Sequence, residues 1–215
     1  MSEAVDDFFA PPALALPFDA AAWDSAPLRT ERLVLRPLRV EDSADVWEYQ
    51  RIADVLRFIP WPPRTRDEGY AHTLRRSQSR VLTADGDALM LAVELPGEAA
   101  VEGTGDRVIG DVMLRVDSVD AAALELGWVF HPDFQDHGYA TEAATAVLRA
   151  AFQQVNAHRV LARLDPRNAA SAAICRRLGM RHEGRELESF YDKGEWQDGD
   201  TYAILRREWA ASPAR

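Results

Sequence analysis

The stretch Leu124-Glu125-Leu126-Gly127-Trp128-Val129-Phe130-His131-Pro132-Asp133-Phe134-Gln135-Asp136-His137-Gly138-Tyr139-Ala140-Thr141-Glu142-Ala143-Ala144 decides how this chain is read. Its first part alternates, with Leu124, Leu126, Trp128 and Phe130 on one side and Glu125, Gly127 and Val129 on the other, which is the period of a strand. Pro132 ends the run, because proline cannot donate to a central ladder. Beyond it, Ala140, Ala143, Ala144, Val147, Leu148, Ala151, Phe152 and Val155 recur at intervals of three and four, with Glu142 and Arg149 off the stripe, which predicts an amphipathic helix. A strand, a short loop with a glycine and a helix start make a place to hold an anion: the first helical N–H groups have no internal acceptor, and the helix dipole adds positive potential. Gly138 lets backbone approach a phosphate closely, and Ala140 leaves room beside it. An ordinary strand-to-helix turn has the same local form. Neither a Gly-Lys-Ser/Thr loop nor a GxGxxG fingerprint is present, so nucleoside triphosphates and dinucleotides are poor candidates.

Composition narrows the classes further. The chain has 215 residues, of which 47 % are apolar and 28 % charged, enough for one large soluble domain or a domain with an appendage. No apolar run is long enough to span a membrane, and acidic residues precede the apolar part of the N-terminus, the reverse of a secretory signal. A net charge of -10 argues against nucleic acid as partner and suits a cationic substrate such as an amine. The single cysteine, Cys175, excludes an internal disulfide and fits a reducing, cytoplasmic compartment. Five histidines lie scattered without paired spacing, so no metal is expected.

Residues 1–27 form an Ala- and Pro-rich arm in which Phe8, Phe9, Leu14, Leu16, Phe18 and Trp23 are too apolar for a solvated tail. It is expected to pack on the domain or on a second subunit, as in a homodimer. The domain, 28–215, opens with a strand at Arg32–Pro37 and a helix from Glu41 or Asp42 carrying Val46, Trp47, Ile52, Val55 and Leu56. Phe58-Ile59-Pro60-Trp61-Pro62-Pro63 is a rigid aromatic connector. Thr65-Arg66-Asp67-Glu68 has the capping-box form and opens a helix to about Leu82. Strands at 88–95 and 108–116 flank a Gly-rich loop, 97–105. After the central stretch come a strand at 159–164, a short helix at 169–178 capped by Asn168 and closed by Gly179, and a strand pair from Met180 whose turn spans Lys193–Gly199.

Three separated signatures now coincide. Gln135-x-x-Gly138-x-Ala140 resembles the pyrophosphate loop of the GNAT N-acetyltransferase superfamily, and Asn168-x-x-Ser171…Arg177-Leu178-Gly179-Met180 is similar to a second motif of it. Gly138-Tyr139-Ala140-Thr141-Glu142-Ala143 resembles the ribosomal-protein N-acetyltransferase (RimJ/RimL-like) branch. So do Thr30–Arg36 at the front and Trp196, Asp198, Tyr202 and Leu205 at the back. The resemblance runs from about residue 28 to 209. It implies a single α/β domain: a mixed, mostly antiparallel sheet of about seven strands, splayed between strands 4 and 5 and flanked by about four helices. It also implies acetyl-CoA as co-substrate. The pyrophosphate would lie on Gln135, Asp136, His137, Gly138, Tyr139, Ala140 and Thr141, and the pantetheine would pair with backbone near Phe130 and pass Asn168 and Ser171.

The chemistry implied is attack of a neutral amine on a thioester, which needs proton removal and a proton for the leaving thiolate. Glu125 is the expected base, the one charge in an otherwise apolar run and about 16 Å from Phe130 at roughly 3.3 Å per residue; it also reads as a plain exposed strand residue. Many members of the superfamily carry a tyrosine where this chain has Cys175. Ser171, one turn earlier on the same helix face, is the preferred donor to the thiolate, with Cys175 either an alternative donor or a small core residue. Trp61, Glu188 and Tyr191 are expected around an amine acceptor, a peptide N-terminus or a small molecule. An antibiotic-modifying acetyltransferase and a non-catalytic acyl-CoA-binding module are the alternatives.

Overall fold

The alternation along 124–130 is realised as a strand with two unlike faces. Leu124, Leu126 and Phe130 enter the larger apolar core and Trp128 packs against it, whereas Val129 packs on a smaller cluster beneath the opposite face. The computed structural model describes residues 13–211, and the elements run as follows. β1 (Phe18–Asp19), α1 (Ala22–Ser25), β2 (Leu28–Arg29) and β3 (Val34–Pro37) lead to α2 (Ser43–Gln50), α3 (Ala53–Leu56) and α4 (Arg66–Ser77). β4 (Val81–Leu82), β5 (Ala88–Ala99), β6 (Asp106–Ser118) and β7 (Ala123–Phe130) follow, then α5 (Tyr139–Gln153), β8 (Arg159–Leu164) and α6 (Ala169–Arg177). β9 (Arg181–Asp192), β10 (Glu195–Leu205) and α7 (Arg206–Ala211) close the described chain.

Eight strands form one sheet in the order β2-β3-β5-β6-β7-β8-β10-β9, and β1 pairs with β4 in a separate ribbon. Every pair in the large sheet is antiparallel except β7 with β8. With the two-residue β2 set aside, the sheet has the expected seven strands, parted between the fourth and fifth. α5 and α6 cover one face: Ala143, Ala144, Val147, Leu148, Ala151 and Phe152 of α5 are all buried there, and their small side chains let the helix lie close to the strands. α2 covers the other face over Met90, Ala92 and Val108, and α4 packs on α2.

Several boundaries differ from the sequence reading. The first helix is broken at Ile52, whose ψ of 118° is extended, so α2 and α3 are separate. α4 stops at Ser77 because Val81 and Leu82 are taken by β1. β10 starts five positions before the expected Asp200, since Lys193 and Gly194, with φ of 48° and 86°, make a two-residue hairpin turn alone. The loop expected at 97–105 is shorter, as β5 extends to Ala99.

The caps stand as read. Thr65 and Glu68 bond reciprocally at the start of α4, and Asn168 Oδ1 accepts the Ser171 amide at 3.0 Å. The described part of the arm packs on the domain itself, around the C-terminal end of α5. Leu14 and Trp23 are buried, the Ala15 amide donates to the Val155 carbonyl at 2.8 Å, and Trp23 Nε1 donates to Gln154 at 3.1 Å. Phe8 and Phe9 lie outside the described residues. Among those described, no helix is long and apolar enough to cross a membrane.

Candidate active site

β7 and β8 pair through three positions only, Ala123 with Arg159, Leu124 with Val160 and Glu125 with Leu161. Beyond Glu125 the strands part. β7 stays bonded to β6 as far as Phe130, while Trp128, Val129 and Phe130 also line a cavity of about 970 Å³. That lies at the upper end of the usual range for ligand sites. A strand edge facing a cavity offers free N–H and C=O groups at regular spacing, to which an extended amide-bearing chain can add as a further strand. Gly110 makes room here: a Cβ at that position would stand 2.5 Å from the Val129 carbonyl oxygen and 2.7 Å from the Phe130 ring.

The edge leads directly to the glycine loop. Asp136 and Gly138 have φ of 62° and 83°, so the backbone coils and brings its amides round to one side. Gly138 is the N-cap of the 15-residue α5 and supplies no side-chain cap, which leaves the amides of Tyr139, Ala140 and Thr141 without intrahelical acceptors. Those residues line the cavity, as do Gln135 and Asp136, whereas the His137 side chain does not: its ring stacks on Tyr139 at 5.6 Å. Gln135 Nε2 donates to the Phe130 carbonyl at 3.2 Å and ties the loop to the end of β7. The loop is therefore fitted to a diphosphate and the gap to a thin, extended arm.

A clasp absent from the sequence reading fixes the loop from behind. The Glu142 carboxylate accepts from Thr30 Oγ1 at 2.6 Å, from the Arg32 amide at 3.0 Å and from Arg32 Nε at 2.8 Å. Arg32 Nη1 donates to the His137 carbonyl at 3.0 Å, and the guanidinium lies 4.5 Å from the centre of the Tyr139 ring. Burial pushes the Glu142 carboxyl up, and the hydrogen bonds from Thr30 and Arg32 more than reverse this, leaving it below the usual carboxylate range. Thr30 and Arg32 lie within the Thr30–Arg36 motif, but nothing in that motif shows where it docks.

α6 forms the opposite wall with Asn168, Ser171 and Ile174. Asn168 caps its helix through Oδ1 and stands on the cavity at the same time. Cys175 does not reach the cavity. Its side chain is fully buried in the core, and burial pushes the thiol up to about 12, so it reads as a small core residue and not as a proton donor.

Glu125 is the main departure from expectation. It is buried at the last rung of the β7–β8 ladder, it is not on the cavity wall, and it is not alone. Its carboxylate accepts from Arg115 of β6 and, at 2.9 Å, from Arg163 of β8, which also reaches Asp117 at 2.7 Å. Arg115 stands directly across the β6–β7 ladder and Arg163 lies 38 positions on in β8, and each reaches the carboxylate through strand register. The carboxylate thus stitches three strands together at the vertex of the splay.

Of the expected acceptor residues, none lines the cavity; Phe58 and Ile59, just before Trp61, do. Glu188 and Tyr191 stand exposed near the tip of the β9–β10 hairpin, with Tyr191 edge-on to Trp196 at 5.5 Å. That tip is fastened beside the cavity by Lys193 Nζ, which donates to the carbonyls of Leu56 at 2.5 Å and Ile59 at 2.6 Å. Arg29, Glu31, Asp54 and Arg149 also line the cavity and carry no signal for it in the sequence; Arg177 of the Asn168–Met180 motif lines it too. Among the described residues no group of His, Cys, Asp and Glu is arranged to hold a metal.

Comparison with known proteins gives a consistent result. The model for the acetyltransferase (GNAT) domain matches residues 32–181. An uncharacterized N-acetyltransferase of Bacillus subtilis (strain 168) is 31 % identical over 182 residues, covering 85 % of this chain and 98 % of that one. The [ribosomal protein uS5]-alanine N-acetyltransferase of Escherichia coli (strain K12) is 26 % identical over 187 residues, covering 85 % and 92 %. The crystal structure of a GNAT-family acetyltransferase from Bacillus anthracis superposes with a TM-score of 0.72 at 28 % identity, over 84 % of this chain and 99 % of that one.

Proposed function

Since the chain belongs to the GNAT acetyltransferase family and is an N-acetyltransferase, we propose that it carries the acetyl group of acetyl-CoA to the primary amine of a peptide N-terminus or of a small molecule, within the splay between β7 and β8. The observation that carries this reading is the ladder that stops after three rungs at Glu125 and opens an edge running straight to the Gly138 loop.

The roles follow from position. The amides of Tyr139, Ala140 and Thr141 hold the pyrophosphate, and the β7 edge from Leu126 to Phe130 aligns the pantetheine. The amine nitrogen bonds to the thioester carbonyl carbon while the carbon–sulfur bond breaks. Ser171, on the α6 wall, donates a hydrogen bond to the departing thiolate, which becomes the free thiol by taking the proton that the acylated nitrogen sheds. Asp54, exposed on the rim of the cavity, attracts the incoming ammonium, and its proton passes to water at the mouth. Glu125 holds the vertex of the splay through Arg115 and Arg163 and is a positioning residue.

A protein N-terminus accords with the uS5-alanine relative. The carboxylates Glu31, Asp54, Asp136 and Glu142 share the cavity wall with Arg29, Arg149 and Arg177, so it is not the one-signed acidic surface that a polycationic antibiotic favours. Calorimetry with acetyl-CoA, and free-thiol release over a panel of N-terminal peptides and small amines, test the reading. Binding should be saturable and abolished by Gly138→Glu, which sets an anion where the amides meet the pyrophosphate. Unchanged affinity in a folded Gly138→Glu variant refutes the site, and binding without turnover on any amine favours the acyl-CoA-binding module.

A further inference from the structure

Of the 25 lysine and arginine residues in the chain, Lys193 is the one lysine. It stands first in the two-residue turn between β9 and β10, with φ of 48°. Such turns favour Asn, Asp or Gly at this place, because left-handed backbone crowds a longer side chain. The turn therefore gives no reason for a lysine, but its ammonium does. Nζ donates to the Leu56 carbonyl at 2.5 Å and to the Ile59 carbonyl at 2.6 Å, with the Arg57 carbonyl at 3.4 Å, whereas the neighbouring Asp192 carboxylate is 3.8 Å away. Three acceptors converging on one point suit an ammonium, whose donors radiate from a single atom; a guanidinium presents its N–H groups as a flat fork.

The carbonyls it takes belong to a stretch with little regular structure of its own. α3 has four residues, and the last carbonyls of a helix lack intrahelical donors. From Arg57 to Arg64 there is no helix or strand, and Pro60, Pro62 and Pro63 have no N–H to give. Local bonds within it run from the Ile59 amide to the Leu56 carbonyl at 3.1 Å and from the Trp61 amide to the Ile59 carbonyl at 2.8 Å. Yet Asp54, Val55, Phe58 and Ile59 of this stretch line the cavity. Arg167 bridges the same two parts more loosely, 6.0 Å from the Phe58 ring centre and bonded to Glu195 at 3.3 Å.

We propose that Lys193 is a positioning residue for the amine acceptor. Its ammonium locks α3 and the Phe58–Ile59 wall to the β9–β10 turn, so that Asp54, Phe58 and Ile59 keep the acceptor side of the cavity in shape. The inference rests on the acetyltransferase reading and adds to it a residue that does not itself line the cavity. The acetyl-CoA side, built on the Gly138 loop and α6, is held by other contacts, among them the Glu142 clasp and the Asn168 cap. The two substrates should therefore respond differently to loss of the lysine.

The test uses Lys193→Asn in the full chain, a change that suits the left-handed turn and removes the ammonium, so the hairpin should fold as before. KM for the amine should rise about tenfold, with the affinity for acetyl-CoA, read by calorimetry, unchanged. Hydrogen exchange followed by mass spectrometry should quicken across residues 53–64 and not across Tyr139–Gln153. Lys193→Cys alkylated with bromoethylamine regains an ammonium at the length of lysine and should regain the wild-type KM, since Cys175 is buried and escapes the reagent; Lys193→Arg should not. An unchanged amine KM, an equal loss of acetyl-CoA affinity, or no recovery on alkylation overturns the positioning role, and full activity of Lys193→Arg overturns the three-acceptor geometry. A wild type that turns over no amine refutes the acetyltransferase reading itself and takes the role with it, a result distinct from an unchanged KM.

Discussion

Glu125→Gln keeps the shape of the side chain and removes the charge shared by Arg115 and Arg163. Glu125 is 12 % exposed at its side chain, whereas the two arginines are 41 % and 47 % exposed, so both guanidiniums can turn to water once their partner is neutral. The cost is then well short of the roughly 3–5 kcal/mol of a sealed ion pair broken on one side. Two charge-assisted hydrogen bonds, discounted for solvent screening, give about 1–2 kcal/mol. For a domain of this size each kcal/mol lowers Tm by roughly 2–4 °C, so the variant should melt about 2–8 °C lower. If Glu125 positions strands and transfers no proton, kcat should fall less than about tenfold, with an unchanged pH profile. A general base would instead cost roughly 10²–10⁴-fold in turnover, and the defect would shrink as pH rises and the amine deprotonates unaided. Thermal melts with thiol-release rates across pH separate the two. Unchanged Tm together with a large, pH-rescued loss of turnover refutes the positioning role and returns Glu125 to the chemistry.

Further expectations concern other parts of the site. Gly110→Ala sets a Cβ against the Val129 carbonyl, which cannot rotate away; it should cost on the order of 1–3 kcal/mol in a denaturant melt and weaken acetyl-CoA binding through displacement of Phe130. Ser171→Ala should lower turnover about tenfold or more without the recovery at high pH that a missing base would show, because thiolate protonation gains nothing from alkali; unaltered kcat removes the serine from the chemistry. Burial, reinforced by Arg76, Arg64 and Arg75, pulls the His72 imidazole down to about 4, so between pH 6.5 and 4 the unfolded chain binds the extra proton. Its stabilising effect is complete above pH 6.5 and is lost as pH falls toward 4, a slope of roughly 2–3 kcal/mol in all. His72→Gln should flatten that slope in chemical denaturation followed over the same range.

What was legible in the sequence was mostly local. The strand at 124–130, the helix after Gly138, the Thr65–Glu68 box and the Asn168 cap are each written within a few residues, so period and spacing suffice to find them. The Lys193–Gly194 turn reads too broadly in sequence because a left-handed lysine carries little signal beside Gly194 and Gly199. The pairings that make the site were hidden for a different reason. Arg163 meets Glu125 across 38 positions and Arg32 meets Glu142 across 110, and only strand register and helix docking bring them together. Glu125 therefore looked like a lone carboxylate in apolar surroundings. Sequence alone does not separate donor from core at Cys175, because both roles use the same helix face; the position of α6 puts Ser171 on the cavity and Cys175 beneath it.

The parting of β7 from β8 also bears on a hazard common to sheet proteins. Unpaired strand edges invite neighbouring chains; one outer margin here is the two-residue β2, and the other is β9, which carries Arg181, Glu183, Arg185, Glu186 and Glu188, charges that discourage such pairing. A further free edge, along β7, is instead recessed, with Phe130 and α6 both lining the cavity it faces. A foreign strand would have to bring side chains to both faces at every second residue, against the layers on either side. The amide-and-methylene end of pantetheine makes no such demand. The fold thereby keeps backbone groups ready to bind at an interior edge, away from the margins where neighbouring chains pair.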